Sequence, residues 1–422
     1  QVFCMFYWSC LLLAFLTSVT ISNSSTTDTC SRPLPFQSAS SSMNANQIAA
    51  NSLADSIRGC LFGMLVGDAL AMPVHWYYNI QQLQRDFGKI SKYEAPKYPF
   101  PGSIMNLSNT GGGGRGADKG SIIGDVINHG KKKFWLKGGQ YHYHHGLKAG
   151  ENTLDAHVTR VLTASLSKNK AWKQMSFLKD YVKFMTTPGS HNDVYASSAH
   201  RMFFANWVQK KPLDECADND NHNIDAIDAL TVIPPLVASM SGSVESSQEI
   251  KRVAWELVNS LRRPSKSVKV YVDNYVDLLF TVLSYRMNKA TQQKQNEEVV
   301  QEEEEKVNVN VDVNGKESQM FANMILEAAD KIGQKKYVLQ QARVRGDPMV
   351  ACYIDSSYPA LLVYAYKYHS DFQSAVFGSV NGGGENVARS TVLGALFGAF
   401  YGFENGIDEK LKTGLLAKQA VN

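Results

Sequence analysis

The chain has 422 residues, 44% of them apolar and 19% charged, with 31 glycines and 13 prolines, a globular balance that excludes collagen-like and wholly disordered classes. Formal net charge is +4, from 43 basic and 39 acidic residues, too even to give the basic footprint of a nucleic-acid binder. The charge is unevenly placed. Residues 294–317 hold three lysines against seven glutamates and one aspartate, leaving a moderately basic remainder that suits a phosphate-bearing ligand.

The chain opens on an apolar run, Val2–Leu16, that looks like the core of a signal peptide. Residue 1 is Gln and no basic segment precedes the run, so Met5 and Met43 are both candidate starts. The run is shorter than the ~20 residues that cross a bilayer, so no permanent membrane span is expected. Thr26–Ser42 turns Ser/Thr-rich, and residues 1–42 are expected to lie outside the fold as a leader. A functional leader would direct the chain to a secretory or organellar compartment; without one it is soluble and intracellular.

From Asn46 onward the dominant period is helical. Within Ser56–Met72, Ile57, Cys60, Leu61, Met64 and Leu65 recur at i, i+3, i+4, i+7 and i+8, one buried helix face. The same pattern predicts helices over Leu154–Leu166, Ala196–Val208, Ile224–Met240, Ile250–Leu261, Val268–Tyr285, Met320–Ile332 and Tyr358–Tyr368. Few segments alternate strictly, so the fold class is all-α, with Gln140–His145 a short extended or loop piece. Two stretches interrupt it. Tyr93–Gly120 carries three prolines and a glycine tract that satisfies G-x-G-x-x-G trivially, with no preceding strand, and reads as a surface loop. Residues 288–318 are polar and acidic and read as a solvated insertion. One helical domain is therefore expected in two parts, 43–287 and 319–405, followed by a tail, 406–422.

Cysteines at 60, 216 and 352 lack metal or redox spacing, and no G-x-S-x-G elbow occurs. The informative feature is an internal echo. Gly59, Gly63 and Gly67 recur every four residues, and Gly394, Gly398 and Gly402 do the same near the other end. Glycine inside a helix costs ~1 kcal/mol relative to alanine, so these positions point to two backbones in close approach. Gly-Glu-Asn also occurs twice, at Gly150-Glu151-Asn152 and Gly384-Glu385-Asn386, each at a predicted helix start. Helix capping explains either pair alone. The recurrence points instead to a shared ligand or metal site.

Histidines cluster too: His75, His142, His144, His145, His157, His191, His200 and His222 lie in four short stretches, beside Asp155, Asp193, Asp225 and Asp228. Isolated histidines are usually structural. A cluster flanked by carboxylates suits acid/base or metal chemistry, since imidazole titrates near neutrality.

The string Gly59-Cys60-Leu61-Phe62-Gly63, then Gly67-Asp68-Ala69-Leu70-Ala71-Met72-Pro73, with the late Gly383-Gly384-Glu385, Gly394-Ala395-Leu396, Gly398-Ala399 and Tyr401-Gly402, resembles the ADP-ribosylglycohydrolase family. HYHHGLKAGENTLDAH and CYIDSSYPALLVYAYKY look like its crystallin J1 and selenoprotein J branch. The resemblance implies a compact orthogonal multi-helix domain with a central cleft. It also implies two magnesium ions, ADP-ribose as ligand, and hydrolysis at the anomeric carbon of the distal ribose.

The chain departs from that pattern where the resemblance expects carboxylates. His75 stands in place of a Glu, Glu151-Asn152 in place of Asp-Asp, and Glu385-Asn386-Val387 in place of Asp-x-Asp. The implied metal set is then Glu151, Asn152, Glu385 and His75, holding a divalent ion, Mg or Mn, with His75 shifting preference away from magnesium. Glu151 or Glu385 would serve as general base, Asn152 would orient water or a ribose hydroxyl, and Asp68, Asp155, His75 and Asn386 would contact ligand. The expected activity is hydrolysis of an N- or O-glycosidic ADP-ribosyl bond, with an ADP-ribosylated partner and a monomer or small homo-oligomer. The alternative is a catalytically silent ADP-ribose-binding or crystallin J1-like structural protein.

Overall fold

Helical periodicity in the sequence becomes a bundle around two glycine-faced helices. The computed structural model describes residues 45–103, 105, 122–135, 138–220, 223–300 and 313–416. The glycine tract after Thr110, the leader, His222 and the sequence beyond Leu416 lie outside the described residues. In chain order the helices are α1 (Ala45–Ala71), α2 (Ile80–Phe87), α3 (Leu154–Asn169), α4 (Gln174–Thr186), α5 (Ser198–Val208), α6 (Ile233–Met240) and α7 (Ser247–Leu261). There follow α8 (Val268–Val300), α9 (Val313–Lys331), α10 (Lys335–Ala342), α11 (Ile354–Lys367), α12 (Phe372–Asn381), α13 (Val387–Tyr401) and α14 (Glu409–Gly414). Among the described residues, pairing outside helices is limited to isolated bridges such as Tyr77 with Gly384.

The glycine echo is the central seam. A Cβ on Gly59 would collide with the Gly398 carbonyl, one on Gly63 with the Gly394 carbonyl, and one on Gly67 with the Ser390 carbonyl. As one number rises by four the other falls by four, so α1 and α13 cross antiparallel with their backbones in contact. α8 covers the pair, and Tyr275 Oη on it donates to the Val392 carbonyl at 2.8 Å. α1 is long and apolar enough to cross a bilayer, but 83% of its apolar window is buried inside the domain. It is the core helix.

Three segments carry structure beyond the sequence reading. The segment read as an aperiodic insertion is helical at both ends, α8 running to Val300 and α9 starting at Val313. Its Gln, Lys, Glu and Ala residues are strong helix formers even without an apolar stripe. The supposed tail carries α14, whose Leu411 is buried and whose following Leu416 N–H donates to the Gly150 carbonyl at 2.8 Å. The single helix predicted over Ile224–Met240 divides into a 3₁₀ turn, Ile227–Leu230, and α6. Pro234 and Pro235 sit in the first turn of α6, where a missing N–H costs nothing.

Candidate functional site

α1 ends in Gly67-Asp68, and the Asp68 side chain, 1% exposed, is what fixes the start of α3. It accepts from Asn152 Nδ2 at 2.8 Å, Thr153 N–H at 2.8 Å and Thr153 Oγ1 at 2.6 Å. Asn152 Nδ2 also donates to the Leu65 carbonyl at 2.8 Å, and Asn152 Oδ1 accepts from Arg160 Nη2 at 2.6 Å. Neither Asn152 nor Thr153 caps α3 with its side chain. The free Leu154 N–H goes to Asp193 Oδ2 at 2.8 Å, a cap supplied from a distant loop.

The second Gly-Glu-Asn is placed by the glycines before it. Gly383 and Gly384 both take positive φ, 66° and 67°, where a Cβ would press on the carbonyls of Tyr77 and Val350 respectively. Gly384 exchanges hydrogen bonds with the strand-like 76–77 segment, and Glu385 N–H donates to the Val350 carbonyl at 2.9 Å. From beneath, the buried Arg389 guanidinium donates to the carbonyls of Ser379 and Gly383. Glu385 then caps α13 itself, Oε1 accepting from Ala388 N–H at 3.1 Å. Asn386 does not cap: its Nδ2 donates to the carbonyls of Val74 and Val380.

Pinning the 76–77 segment to Gly384 brings His75 to Glu385 and opens a buried chain of four side chains. Glu385 Oε2 lies 3.0 Å from His75 Nε2, His75 Nδ1 lies 2.7 Å from His144 Nε2, and His144 Nδ1 lies 2.9 Å from Asp193 Oδ1. Trp76 walls it, its ring 4.2 Å from that of His75, with Tyr143 and Tyr195 edge-on to the indole. Trp76 holds φ at 60°, a conformation that costs a bulky residue on the order of 1–2 kcal/mol.

Ionised carboxylates only accept, so His144 Nδ1 donates to Asp193, and the His75 ring spans from His144 to Glu385. Burial pushes His144 down, but Asp193 beside it, helped by Asp68 and Asp155, holds it above the usual histidine range. Burial likewise pushes Asp193 and Glu385 up, and their histidine partners hold both below the usual carboxylate range. Neighbouring His142 is driven well below the histidine range by burial and by His144 and His75, so it stays neutral.

On a more open side stands Asp155, in the first turn of α3, with its side chain 28% exposed. His200 Nε2 holds it at 2.8 Å and is itself held by Tyr181 Oη at 2.7 Å. Burial raises the Asp155 pKa, but His200, Arg262 and His75 together bring it below the carboxylate range. Asp228 is gripped by both guanidinium nitrogens of Arg262, at 2.6 and 2.9 Å. Burial pushes it up against that pull, with Asp155 and Glu385 adding repulsion. Asp155, Asp228 and Glu385 thus share one electrostatic neighbourhood.

The predicted residues therefore divide. Asp68 and Asn152 form one group, His75 and Glu385 another, and Asp155 a third that feels His75. Glu151, 3% exposed, accepts from its own turn, Oε2 to Lys148 N–H at 3.0 Å, and the carboxylate–imidazole chain does not pass through it. Sequence reading named His144, Asp193, His200 and Asp228 only as a cluster and did not name Arg160 or Arg262. A cavity of about 650 Å³ lies elsewhere, beside α10, lined by Asp330, Lys335, Lys336 and Arg343.

The sequence profile of the ADP-ribosylglycohydrolase family matches residues 49–422. The chain belongs to the ADP-ribosylglycohydrolase family. Among solved structures, an "ADP-ribosylglycohydrolase-related protein complex" is similar at 15% identity over 86% of this chain and 93% of that one, with a TM-score of 0.47. Comparison with curated proteins gives no match. Membership in the ADP-ribosylglycohydrolases supports a hydrolase of ADP-ribose linkages and implies an ADP-ribosylated substrate.

Three of the four side chains expected to hold a divalent ion, Asn152, His75 and Glu385, are engaged by groups of the protein itself. Asn152 can ligate only through Oδ1, which faces a guanidinium. Both His75 nitrogens are hydrogen-bonded, and each Glu385 oxygen faces a donor. Among the described residues, no group of three His, Cys, Asp or Glu side chains is disposed to hold a metal ion.

Proposed function

We propose that this family member hydrolyses an ADP-ribosyl N- or O-glycosidic bond using its own side chains. The observation that carries the reading is Asp155: a partly exposed carboxylate, held ionised against its burial by His200, Arg262 and His75, in the same neighbourhood as Asp228 and Glu385. Breaking the bond at the anomeric carbon builds positive charge on the ribose ring, and fixed negative charge there lowers the barrier. Asp155 stabilises that charge and orients the attacking water. Water adds to the anomeric carbon, the glycosidic bond breaks, and the leaving amine or hydroxyl departs with a proton while water loses one. Asp68 and Asn152 act as positioning residues that hold the Asp155-bearing end of α3, and Arg262 positions Asp228. Glu385 contributes negative charge from behind, held in place by His75. Glu151 takes no part in this reading.

A second reading is favoured by burial: Asp68, Asn152 and Glu385 are 1%, 2% and 3% exposed. Under it the chain is a silent ADP-ribose-binding or crystallin J1-like structural protein. The deciding test incubates the full chain with guanidine-linked and hydroxyl-linked ADP-ribosyl substrates and follows free ADP-ribose. Release that is lost in Asp155→Asn supports hydrolysis. ADP-ribose binding without release from either linkage supports the silent reading.

A further inference from the structure

We infer that this chain binds no divalent cation at Asn152, His75 and Glu385, because its own side chains, Arg160 and His144 among them, already engage the atoms that would ligate one. The inference concerns cation binding and stands or falls independently of turnover.

Three observations carry it. The first is Arg160, in the middle of α3, whose Nη2 lies 2.6 Å from Asn152 Oδ1. An amide ligates metal only through that oxygen, and the guanidinium already takes one of its two lone pairs. Arg160 forms no ion pair among the described residues, and its Nη1 is buried with no protein hydrogen-bond partner there. The second is His75. A histidine ligates through a nitrogen with a free lone pair, and here Nε2 faces Glu385 at 3.0 Å and Nδ1 faces His144 at 2.7 Å. An ion at His75 would have to break at least one of these two buried hydrogen bonds. The third is Glu385, whose Oε1 is committed to capping α13 and whose Oε2 is committed to His75. An ion at Oε1 would compete with the cap of the helix that packs on α1, and one at Oε2 with His75.

Charge supports the same view. A cation at Asn152 Oδ1 would meet the Arg160 guanidinium, 2.6 Å from that oxygen, in an interior where repulsion is weakly screened.

The test titrates the full chain with Mn²⁺ alone, and separately with Mg²⁺, by calorimetry, and compares melting temperatures in excess metal and in chelator. The expected result is no saturable heat and no change in melting temperature. Saturable one-to-one binding that is lost in both Asn152→Ala and His75→Ala overturns the inference. Binding that both variants leave unchanged puts the ion elsewhere and leaves the inference standing. Because either variant can fold poorly, a second measurement needs none. The low-field ring N–H resonances of the His75–His144 pair are expected to persist in excess Mn²⁺, and their paramagnetic loss at stoichiometric metal overturns the inference.

Discussion

Gly63→Ala puts the central seam to a quantitative test. In an unpacked helix the change is favourable by ~1 kcal/mol, since alanine is the better helix former. Here the new Cβ would overlap the Gly394 carbonyl and come within 2.9 Å of Phe372 Cε2. Phe372 is a side chain and can turn, but Gly394 is backbone in the middle of α13, itself buried from Val387 to Phe400. Relief therefore requires α1 and α13 to separate, which loosens the contacts at Gly59 and Gly67 as well. Overpacking costs ~1–3 kcal/mol, and backbone that must move puts this case at or above the top of that range, so after the ~1 kcal/mol gain in propensity the net expectation is a loss of ~2 kcal/mol or more. The assay is urea denaturation of the full chain, with Gly346→Ala as the matched control because nothing lies within 4 Å of a Cβ there. The control is expected to change stability by no more than about 0.5 kcal/mol. A Gly63→Ala protein as stable as the parent, or more stable, would refute the close antiparallel crossing.

Three further outcomes are expected. Asp68→Asn removes the charge from three buried hydrogen bonds and makes the Thr153 hydroxyl turn from donor to acceptor, so it should cost ~1–3 kcal/mol in the same denaturation; an unchanged midpoint would mean Asp68 does not hold α3. Burial lowers the His157 pKa to about 3 and that of His191 to about 4. Their stabilising contribution is complete above pH ~6.5 and lost as pH falls toward those values, by up to ~1.4 kcal/mol per pH unit for each ring. His157→Leu should flatten that slope between pH 6.5 and pH 4, and an unaltered slope would contradict its neutral burial. His144, raised in the fold, runs the other way: its contribution is complete below pH ~6.5 and fades as pH climbs through its elevated value. Finally, His200→Gln removes a group that holds Asp155 ionised, so the acid limb of the pH–rate profile should move to higher pH; a limb that stays put would separate Asp155 from the reaction.

The all-α class and the seam were legible because glycine at four-residue spacing has a direct backbone meaning, whatever surrounds it. The two Gly-Glu-Asn copies were legible as helix starts, but their asparagines bond to Asp68 and to backbone carbonyls rather than capping. The pairing of histidines with carboxylates was not legible. His75 meets His144 across 69 positions and Glu385 across 310, and no local pattern encodes which partner closes such a distance. Arg160 was missed because a lone arginine on a helix otherwise signals a solvated face, and only the fold shows it turned inward on Asn152. Short helices escaped for a related reason. α2 buries Leu83 alone and α10 buries Val338 alone, so neither presents a period to read. α4 is different: Phe177, Leu178, Tyr181, Phe184 and Met185 do fall at helical spacing, and the pattern was present in the sequence.

The most direct test of the account is ADP-ribose release by the full chain in chelator, side by side with Mg²⁺ or Mn²⁺ and with Asp155→Asn. The account predicts release from at least one ADP-ribosyl linkage at the same rate with and without metal, and its loss in Asp155→Asn. Release that appears only on adding metal, or that survives in Asp155→Asn, would contradict it.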